Sequence, residues 1–133
     1  KHFFFIVADD GDNLPTIDWI LEKAQAAVFR YGIKGLVIDP YNEIEHDRKN
    51  GQSETEFISL MLSKVKRFAR NHGVHVWMIA HPTKMETDKD GKTKIPSLYN
   101  ISGSSNWVNK ADNGIVVHRS EDATDRTQIH VKK

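Results

Sequence analysis

Gly-Leu-Val-Ile-Asp-Pro, at residues 35–40, is a short apolar run that ends in a carboxylate and is followed at once by proline. Val-His-Val-Trp-Met-Ile-Ala-His-Pro, at residues 74–82, has the same organisation, with a histidine in place of the carboxylate. Both runs are too short for a buried helix, and the proline prevents each strand from continuing. The pattern predicts two buried parallel strands whose carboxyl ends carry Asp39 and His81, facing the crevice where ligands bind in such sheets.

Two amphipathic helices are predicted beside these strands. The first covers residues 17–31, where apolar residues recur at helical spacing, with Thr16 as its cap and Gly32 at its end. The second begins at the capping box Ser-Glu-Thr-Glu of residues 53–56 and stops at Gly73. Strands and helices that alternate in this way imply right-handed crossovers and a parallel sheet.

Both ends of the chain are predicted to add strands. Residues 3–7 are strongly apolar and predict a buried strand, and its abrupt start favours a piece of a longer protein. A short helix near residues 106–110, a strand at 114–118 and an alternating strand at 128–132 predict an antiparallel edge. We therefore expect an α/β fold with a mainly parallel sheet, a C-terminal antiparallel edge and one domain across residues 1–133.

The composition excludes several classes of protein but selects no partner. The chain has 133 residues with 19 basic and 18 acidic side chains, so its net charge indicates no particular partner. Because it lacks cysteine, it has neither a disulfide framework nor a thiolate nucleophile, and a cytosol-like setting is expected. No apolar run approaches the roughly 18 residues of a membrane span, so no membrane partner is expected.

Asp39 and His81 are the residues whose positions best suit chemistry. A carboxylate at the tip of a buried strand can hold Mg²⁺ directly or through water, although Asp-Pro also opens ordinary turns. An imidazole at the next strand end can donate to a phosphate oxygen, or it can be a core histidine bonded to a backbone carbonyl. Because they occur one crossover apart, the two residues together favour a nucleotide phosphate site.

Other residues carry weaker signals. Side chains that can ligate a metal occur without a recognised spacing, at His46, Asp47, His72, His75 and His81. The basic stretch 84–94 can track a nucleic-acid backbone, or it can be a solvated linker. Trp77 and Trp107 are expected in the core. No Gly-x-x-x-x-Gly-Lys-Ser/Thr loop is present, so an NTPase of this kind would need its phosphate loop upstream of Lys1.

Four segments, in order, resemble the RecA-like ATPase domain of hexameric replicative DNA helicases, the family of DnaB, Twinkle and the phage primase–helicases. Residues 35–39 look like the Walker B strand of that family, and residues 57–73 look like the helix that follows. Residues 76–84 resemble the third helicase motif, where the phage and mitochondrial branches carry a histidine and a nearby lysine. Residues 101–114 resemble the fourth motif, with its Gly-Ser turn and Ala-Asp-Asn before the next strand.

The resemblance implies a three-layer RecA-like fold and an ATP-dependent helicase with ATP and Mg²⁺ as cofactors. These residues would be the C-terminal part of its single motor domain. Asp39 would organise Mg²⁺ and the attacking water together with a catalytic glutamate upstream of Lys1. His81 would sense the γ-phosphate. Arg119 would pack against the nucleotide base, and Lys133 would reach the ATP site of a neighbouring subunit. On this interpretation the residues hold half of an ATP site and are inactive alone.

The same resemblance implies single-stranded DNA as a partner. The loops at residues 41–52 and 84–99 would line a central channel. Candidate DNA contacts are Lys84, Lys89, Lys92, Lys94, Asn109 and Lys110. A hexameric homo-oligomer is implied as well, with primase or other replisome components as further partners. The expected location is the cytoplasm of a bacterial or phage-infected cell, ahead of the mitochondrial matrix.

Two alternatives share the same core. A RecA- or RadA-like recombinase would form open filaments and exchange strands, whereas residues 103–112 favour the helicase. A non-catalytic RecA-like DNA-binding module would be supported by a gene that lacks a Walker A loop upstream of Lys1. The sequence upstream of Lys1 therefore separates this module from the helicase.

Overall fold

The computed structural model describes residues 2–8, 15–87, 89, 93–101, 105–119 and 126–133. The chain forms two compact units, Lys1–Ala80 and His81–Lys133. Each unit contains its own helical segments and its own pair of strands. The single domain expected over the whole chain stays a prediction, and the predicted Gly-Ser turn at 102–104 lies outside the described residues.

Helix α1 spans Ile17–Tyr31, as its apolar spacing predicts. The Thr16 hydroxyl accepts a hydrogen bond from the Trp19 amide at 3.2 Å, which satisfies one of the unpaired donors at the helix start. Gly32 ends the helix in the left-handed region at φ 64°, a conformation that glycine adopts without a steric penalty. Local sequence signals therefore set both ends of this helix.

Helix α2 spans Glu54–His72 and begins at the predicted capping box. The Ser53 hydroxyl accepts from the Glu56 amide at 3.2 Å, and the Glu56 carboxylate accepts from the Ser53 amide at 2.9 Å. The buried side chains of this helix are Phe57, Ile58, Met61, Val65 and Phe68. The helical spacing predicts four of them together with Ala69, which is half-buried, and it does not predict Ile58. Helix α2 contributes more buried residues to the core of the first unit than any other element.

Strands β1 (Gly35–Ile38) and β2 (His75–Met78) pair in parallel, which confirms the predicted pairing. The expectation that both strands are buried is wrong for β2, whose residues are exposed or half-buried. Strand β2 ends two residues earlier than its apolar run suggests. Beyond the strands, the Ile79 amide donates to the Ile38 carbonyl at 2.9 Å, and the Tyr41 amide donates to the Ile79 carbonyl at 2.7 Å. These two backbone bonds tie the carboxyl ends of the strands together.

The two faces of this small sheet differ in burial. Leu36 and Ile38 of β1 are buried, and α2 packs against β2. Val37 and Trp77 lie opposite each other and are 60% and 49% exposed. The expectation that Trp77 belongs to the core is wrong, because alternate strand residues point to opposite faces and Trp77 lies on the exposed one.

Residues 3–7 do not form the predicted buried strand. All five are described, and none of them is paired in a sheet. Phe3 and Phe5 are 81% and 89% exposed, whereas the Phe4 ring stacks on Tyr31 of α1 at a centroid distance of 4.3 Å. The prediction is wrong because a buried strand must pair with a neighbouring strand, and none of the described strands pairs with this segment.

The second unit contains α3 (Asn106–Lys110) and an antiparallel pair, β3 (Ile115–His118) with β4 (Gln128–Val131). These elements confirm the predicted helix and strands to within a residue. A 3-10 turn at Leu98–Asn100 precedes them. Trp107 is 5% exposed, which confirms it as a core residue.

The strands in the described ranges form two separate two-stranded sheets, one parallel and one antiparallel. The mixed α/β character is therefore confirmed. The predicted continuous sheet is not observed in these ranges, since no described strand pairs β1 or β2 with β3 or β4. No helix in the described part of the chain is long and apolar enough to cross a membrane.

Candidate nucleotide and nucleic-acid site

Asp39 lies directly after β1, at the carboxyl end of the parallel pair, and it is exposed. Backbone bonds at Ile38 and Tyr41, on either side of it, hold the chain to Ile79. Ligands of parallel α/β sheets bind beyond this edge, so the carboxylate can reach a cation there. Mg²⁺ is often held by one or two carboxylates while it keeps several waters. Asp39 therefore fits a magnesium ion held by a single carboxylate and water.

The scattered metal-ligating residues do not come together in the described part of the chain. Among those residues, no group of three or more His, Asp or Glu side chains could hold a metal ion. His46 instead packs between aromatic rings, and the His75 ring lies 4.8 Å from that of Trp77. Within the described residues, the candidate cation site is therefore the exposed strand end at Asp39, and not a cluster of several ligating side chains.

Residues 40–52, which we call the β1–α2 connection, are compactly folded. A 3-10 turn at Tyr41–Glu43 redirects the chain, Tyr41 is 2% exposed, and Ile44 is also buried. The Glu45 amide donates to the Pro15 carbonyl at 3.1 Å, just before α1. The sequence suggests only a polar stretch here. Its packing could have been inferred from Tyr41 and Ile44, two apolar residues that lie three positions apart.

The β1–α2 connection has a buried side and a charged side. Burial raises the pKa of the Tyr41 phenol to about 12; the negative charge of Glu54 adds to this effect, and Arg48 opposes it. The phenol therefore remains neutral at physiological pH. Arg48 and Lys49 are exposed. The connection thus presents two cations to solvent while an uncharged aromatic residue holds it in the core.

His81 opens the second unit and is exposed. The backbone that follows it is fixed to the turn at Leu98–Asn100, because the amide and hydroxyl of Thr83 donate to the Asn100 carbonyl at 2.7 and 3.0 Å. An exposed imidazole beside such fixed backbone can donate to a phosphate oxygen. Because Asp39 belongs to the other unit, the joint site of these two residues stays a prediction.

The lysines of the basic stretch after His81 are exposed where they are described. Three of its four lysines are in the described residues: Lys84, Lys89 and Lys94. Lys92 lies outside them. Lys94 pairs with Glu86 at 3.1 Å, and its amide donates to the Glu86 carbonyl at 3.2 Å. An exposed ion pair of this kind stabilises by only about 0–1 kcal/mol, so a nucleic-acid phosphate can compete with the carboxylate.

The remaining predicted site residues surround α3 and the two last strands. Asn109 is exposed and Lys110 is half-buried. The Lys133 ammonium donates to the Val108 carbonyl of α3 at 2.7 Å. Arg119 is exposed directly after β3. Lys133 thus binds within its own unit, and its predicted reach into a neighbouring subunit stays a prediction.

Similarity to a known protein agrees with the helicase-like segments of the sequence. No family model matches the chain. The Twinkle homolog protein, chloroplastic/mitochondrial, of Arabidopsis thaliana is 52% identical to it over 134 residues. The predicted location in a bacterial or phage-infected cell is contradicted, because the name of this relative places it in chloroplasts and mitochondria. The alignment covers 98% of this chain and 18% of the relative, so the chain is similar to one segment of a much longer Twinkle homolog.

Proposed function

We propose that these residues belong to the RecA-like motor of an ATP-dependent replicative DNA helicase of chloroplasts or mitochondria. The observation that carries the proposal is the 52% identity, over 98% of the chain, to a Twinkle homolog. The order of the four helicase-like segments supports it, as does the parallel β1–β2 pair with Asp39 at its carboxyl end. Since the relative is much longer, the activity is proposed for the full-length polypeptide that the gene encodes.

In this proposal Asp39 and His81 each act on bound ATP. Asp39 holds Mg²⁺, directly or through water, at the edge of the parallel pair. When bound, ATP would supply the phosphoryl group and Mg²⁺ would neutralise the charge that develops on it. His81 donates to a γ-phosphate oxygen and thereby reports whether that phosphate is present. Arg119 packs against the base, and Lys133 exchanges the Val108 carbonyl for the ATP of a neighbouring subunit.

The proposed partner is single-stranded DNA in the channel of a six-membered ring. The β1–α2 connection and the stretch 84–99 line this channel. The side chains proposed to contact the DNA are Lys84, Lys89, Lys92, Lys94, Asn109 and Lys110. Flexible ammonium groups neutralise phosphates without reading the sequence, which a translocating motor requires. Primase or other replisome components are proposed as further partners.

The test is the ATPase activity of the full-length polypeptide with Asp39→Asn. The amide keeps the shape of the strand end but removes the charge that holds Mg²⁺. The kcat of DNA-stimulated hydrolysis should therefore fall by roughly 10²- to 10³-fold, as for other electrostatic groups of an active site. Asp18→Asn is the matched control, because Asp18 is an exposed carboxylate of α1 whose partner, Lys64, lies 2.6 Å away. Its loss should leave kcat unchanged.

Four results would contradict this proposal. A wild-type polypeptide without DNA-stimulated ATPase activity would exclude the motor. Open filaments with strand exchange, in place of rings with unwinding, would indicate a recombinase. Full activity of Asp39→Asn would show that Asp39 does not hold the metal ion. A fluorescent fusion of the full-length polypeptide that enters neither organelle would contradict the proposed location.

A further inference from the structure

An aromatic stack joins the β1–α2 connection to helix α2. The His46 ring lies between those of Tyr41 and Phe57, with centroid distances of 4.9 and 5.1 Å and interplanar angles of 27° and 37°. Tyr41 and Phe57 are both buried. Phe57 belongs to the first turns of α2, which the capping box already fixes. The stack therefore holds the middle of the connection against a well-anchored helix.

His46 contributes the faces of its ring rather than polar bonds of its side chain. Its Nε2 atom is buried and has no hydrogen-bond partner among the described residues. A buried polar atom without a hydrogen-bond partner lowers the stability of the fold, whereas each contact between aromatic rings raises it. An apolar ring of similar shape should therefore hold the connection equally well.

The stacked histidine also fixes the backbone of the exposed cations. The Arg48 amide donates to the His46 carbonyl at 2.7 Å. The Lys49 amide donates to the Gln52 side chain at 3.2 Å, and the Gln52 amide donates back to the Lys49 carbonyl at 2.9 Å. The two exposed cations thus occupy a closed turn that starts at His46.

Asp39 is held by a different set of bonds. The backbone on its two sides is bonded to Ile79, through the Ile38 carbonyl and the Tyr41 amide. Neither bond uses the His46 ring. Removal of the imidazole should therefore loosen the cationic turn while the end of β1 stays in place.

We propose that the Tyr41–His46–Phe57 stack is a positioning device that presents Arg48 and Lys49 to the phosphates of single-stranded nucleic acid. His46 is a positioning residue that acts through the turn. The inference rests on the proposed function, because it assigns the nucleic acid to the same motor. Without the stack, the turn must be ordered when nucleic acid binds, and that loss of conformational entropy weakens binding.

The test compares His46→Ala, His46→Phe and His72→Ala in the full-length polypeptide, with oligothymidylate as the probe. His72 is the matched control, because its ring also packs against aromatic residues, with centroids 5.9 Å from Phe29 and 4.7 Å from Phe68. It lies at the other end of α2, away from the connection. The measurements are kcat, the oligothymidylate concentration that gives half-maximal ATPase stimulation, and the thermal midpoint.

His46→Ala should raise the half-maximal concentration by roughly three- to tenfold, the range that corresponds to an aromatic pair. The kcat at saturating oligothymidylate should stay unchanged. His46→Phe should restore the wild-type concentration, because both ring faces are kept. His72→Ala should lower the thermal midpoint but leave the half-maximal concentration as it is.

A double variant tests the cations themselves with the stack intact. Arg48→Gln with Lys49→Gln should also raise the half-maximal concentration, and this variant replaces His46→Ala if that protein does not fold. The slope of log affinity against log salt should become shallower by about 0.7 for each phosphate that the two cations neutralise in the wild type.

Several outcomes would overturn the inference. Two concern His46→Ala: a half-maximal concentration equal to that of His72→Ala, or a fall in kcat with no change in that concentration. The others are a His46→Phe variant that fails to restore binding and a double variant whose salt slope is unchanged. A wild-type protein without oligothymidylate-stimulated ATPase would instead refute the proposed function. Direct oligothymidylate binding by fluorescence polarisation then tests the stack by itself, with the same fold-change expected for His46→Ala.

Discussion

Replacement of Gly114 with alanine tests how closely the second unit is packed. Gly114 is buried just before β3; its amide donates to the Lys133 carbonyl at 3.0 Å, and its carbonyl accepts from the Lys132 amide at 2.7 Å. A Cβ atom at this position would lie 3.2 and 3.3 Å from Cγ and Cδ2 of Leu98 and would overlap its Cδ1. Because the backbone of Gly114 is bonded at both groups to the residues that follow β4, the leucine side chain has to move.

Forced repacking of this kind costs about 1–3 kcal/mol. For a chain of this length, each kcal/mol lowers Tm by about 3–6 °C. In a Leu98→Ala background the obstructing side chain is absent, so Gly114→Ala should then cost less than about 0.5 kcal/mol. The difference between the two backgrounds measures the contact itself, since each variant acts on the same pair of residues.

Urea unfolding followed by tryptophan fluorescence is the assay, because Trp107 is buried in the same unit. Gly35→Ala is the control, since the nearest atom to a Cβ at Gly35 is the His75 carbonyl oxygen, 3.9 Å away. That substitution should leave stability unchanged or raise it by up to about 1 kcal/mol. An equal cost of Gly114→Ala with and without the Leu98 side chain would refute the packing argument.

Three further predictions concern the start of α2 and the connection before it. Ser53→Ala should lower stability by about 1 kcal/mol in thermal unfolding, because the Glu56 amide loses its acceptor. The Ser53 amide and hydroxyl lower the pKa of the Glu56 carboxyl from 4.5, so its contribution to stability is present above that pH and is lost on acidification; Glu56→Gln should show no such loss. Since burial raises the pKa of Tyr41 from 10.0 to about 12, its contribution is complete below pH 10 and is lost as the pH rises to 12. Alkaline unfolding of Tyr41→Phe that matches the wild type would contradict this.

The helices and the first strand pair could be predicted because their signals are local. Thr16 and Ser53 are caps that act on amides within the next three residues, and Gly32 closes α1 through its own backbone conformation. The apolar runs of β1 and β2 are short and stopped by proline, so their type is clear from length alone. The parallel pairing then follows from the helix between them.

The predictions that failed depend on contacts between residues that are far apart in the sequence. The apolar segment 3–7 lacks a paired neighbour in the described residues, and the exposure of Trp77 depends on which face of the sheet α2 covers. The fold of the β1–α2 connection depends on Phe57, which lies eleven positions beyond His46 and in another element. Sequence spacing alone indicates none of these contacts.

The candidate site could be predicted only where it coincides with a strand end. Asp39 lies at the carboxyl edge of the parallel pair, as its position after an apolar run indicates. The packing of His46 between two aromatic rings was not predicted, because a histidine in a polar stretch carries no periodic signal. The expected bacterial or phage location was contradicted by the name of the relative, since no residue pattern in the chain indicates a compartment.

The backbone bond between the Tyr41 amide and the Ile79 carbonyl has a consequence for local unfolding. An amide exchanges its hydrogen only when its bond opens, and bonds that open together form one cooperative unit. The amides of Tyr41 and Ile79 belong to the unit of β1 and β2, whereas that of Arg48 opens with the cationic turn. We expect Arg48 to exchange fast and the other two slowly, so that the turn can unfold and refold while the strand end that carries Asp39 remains closed.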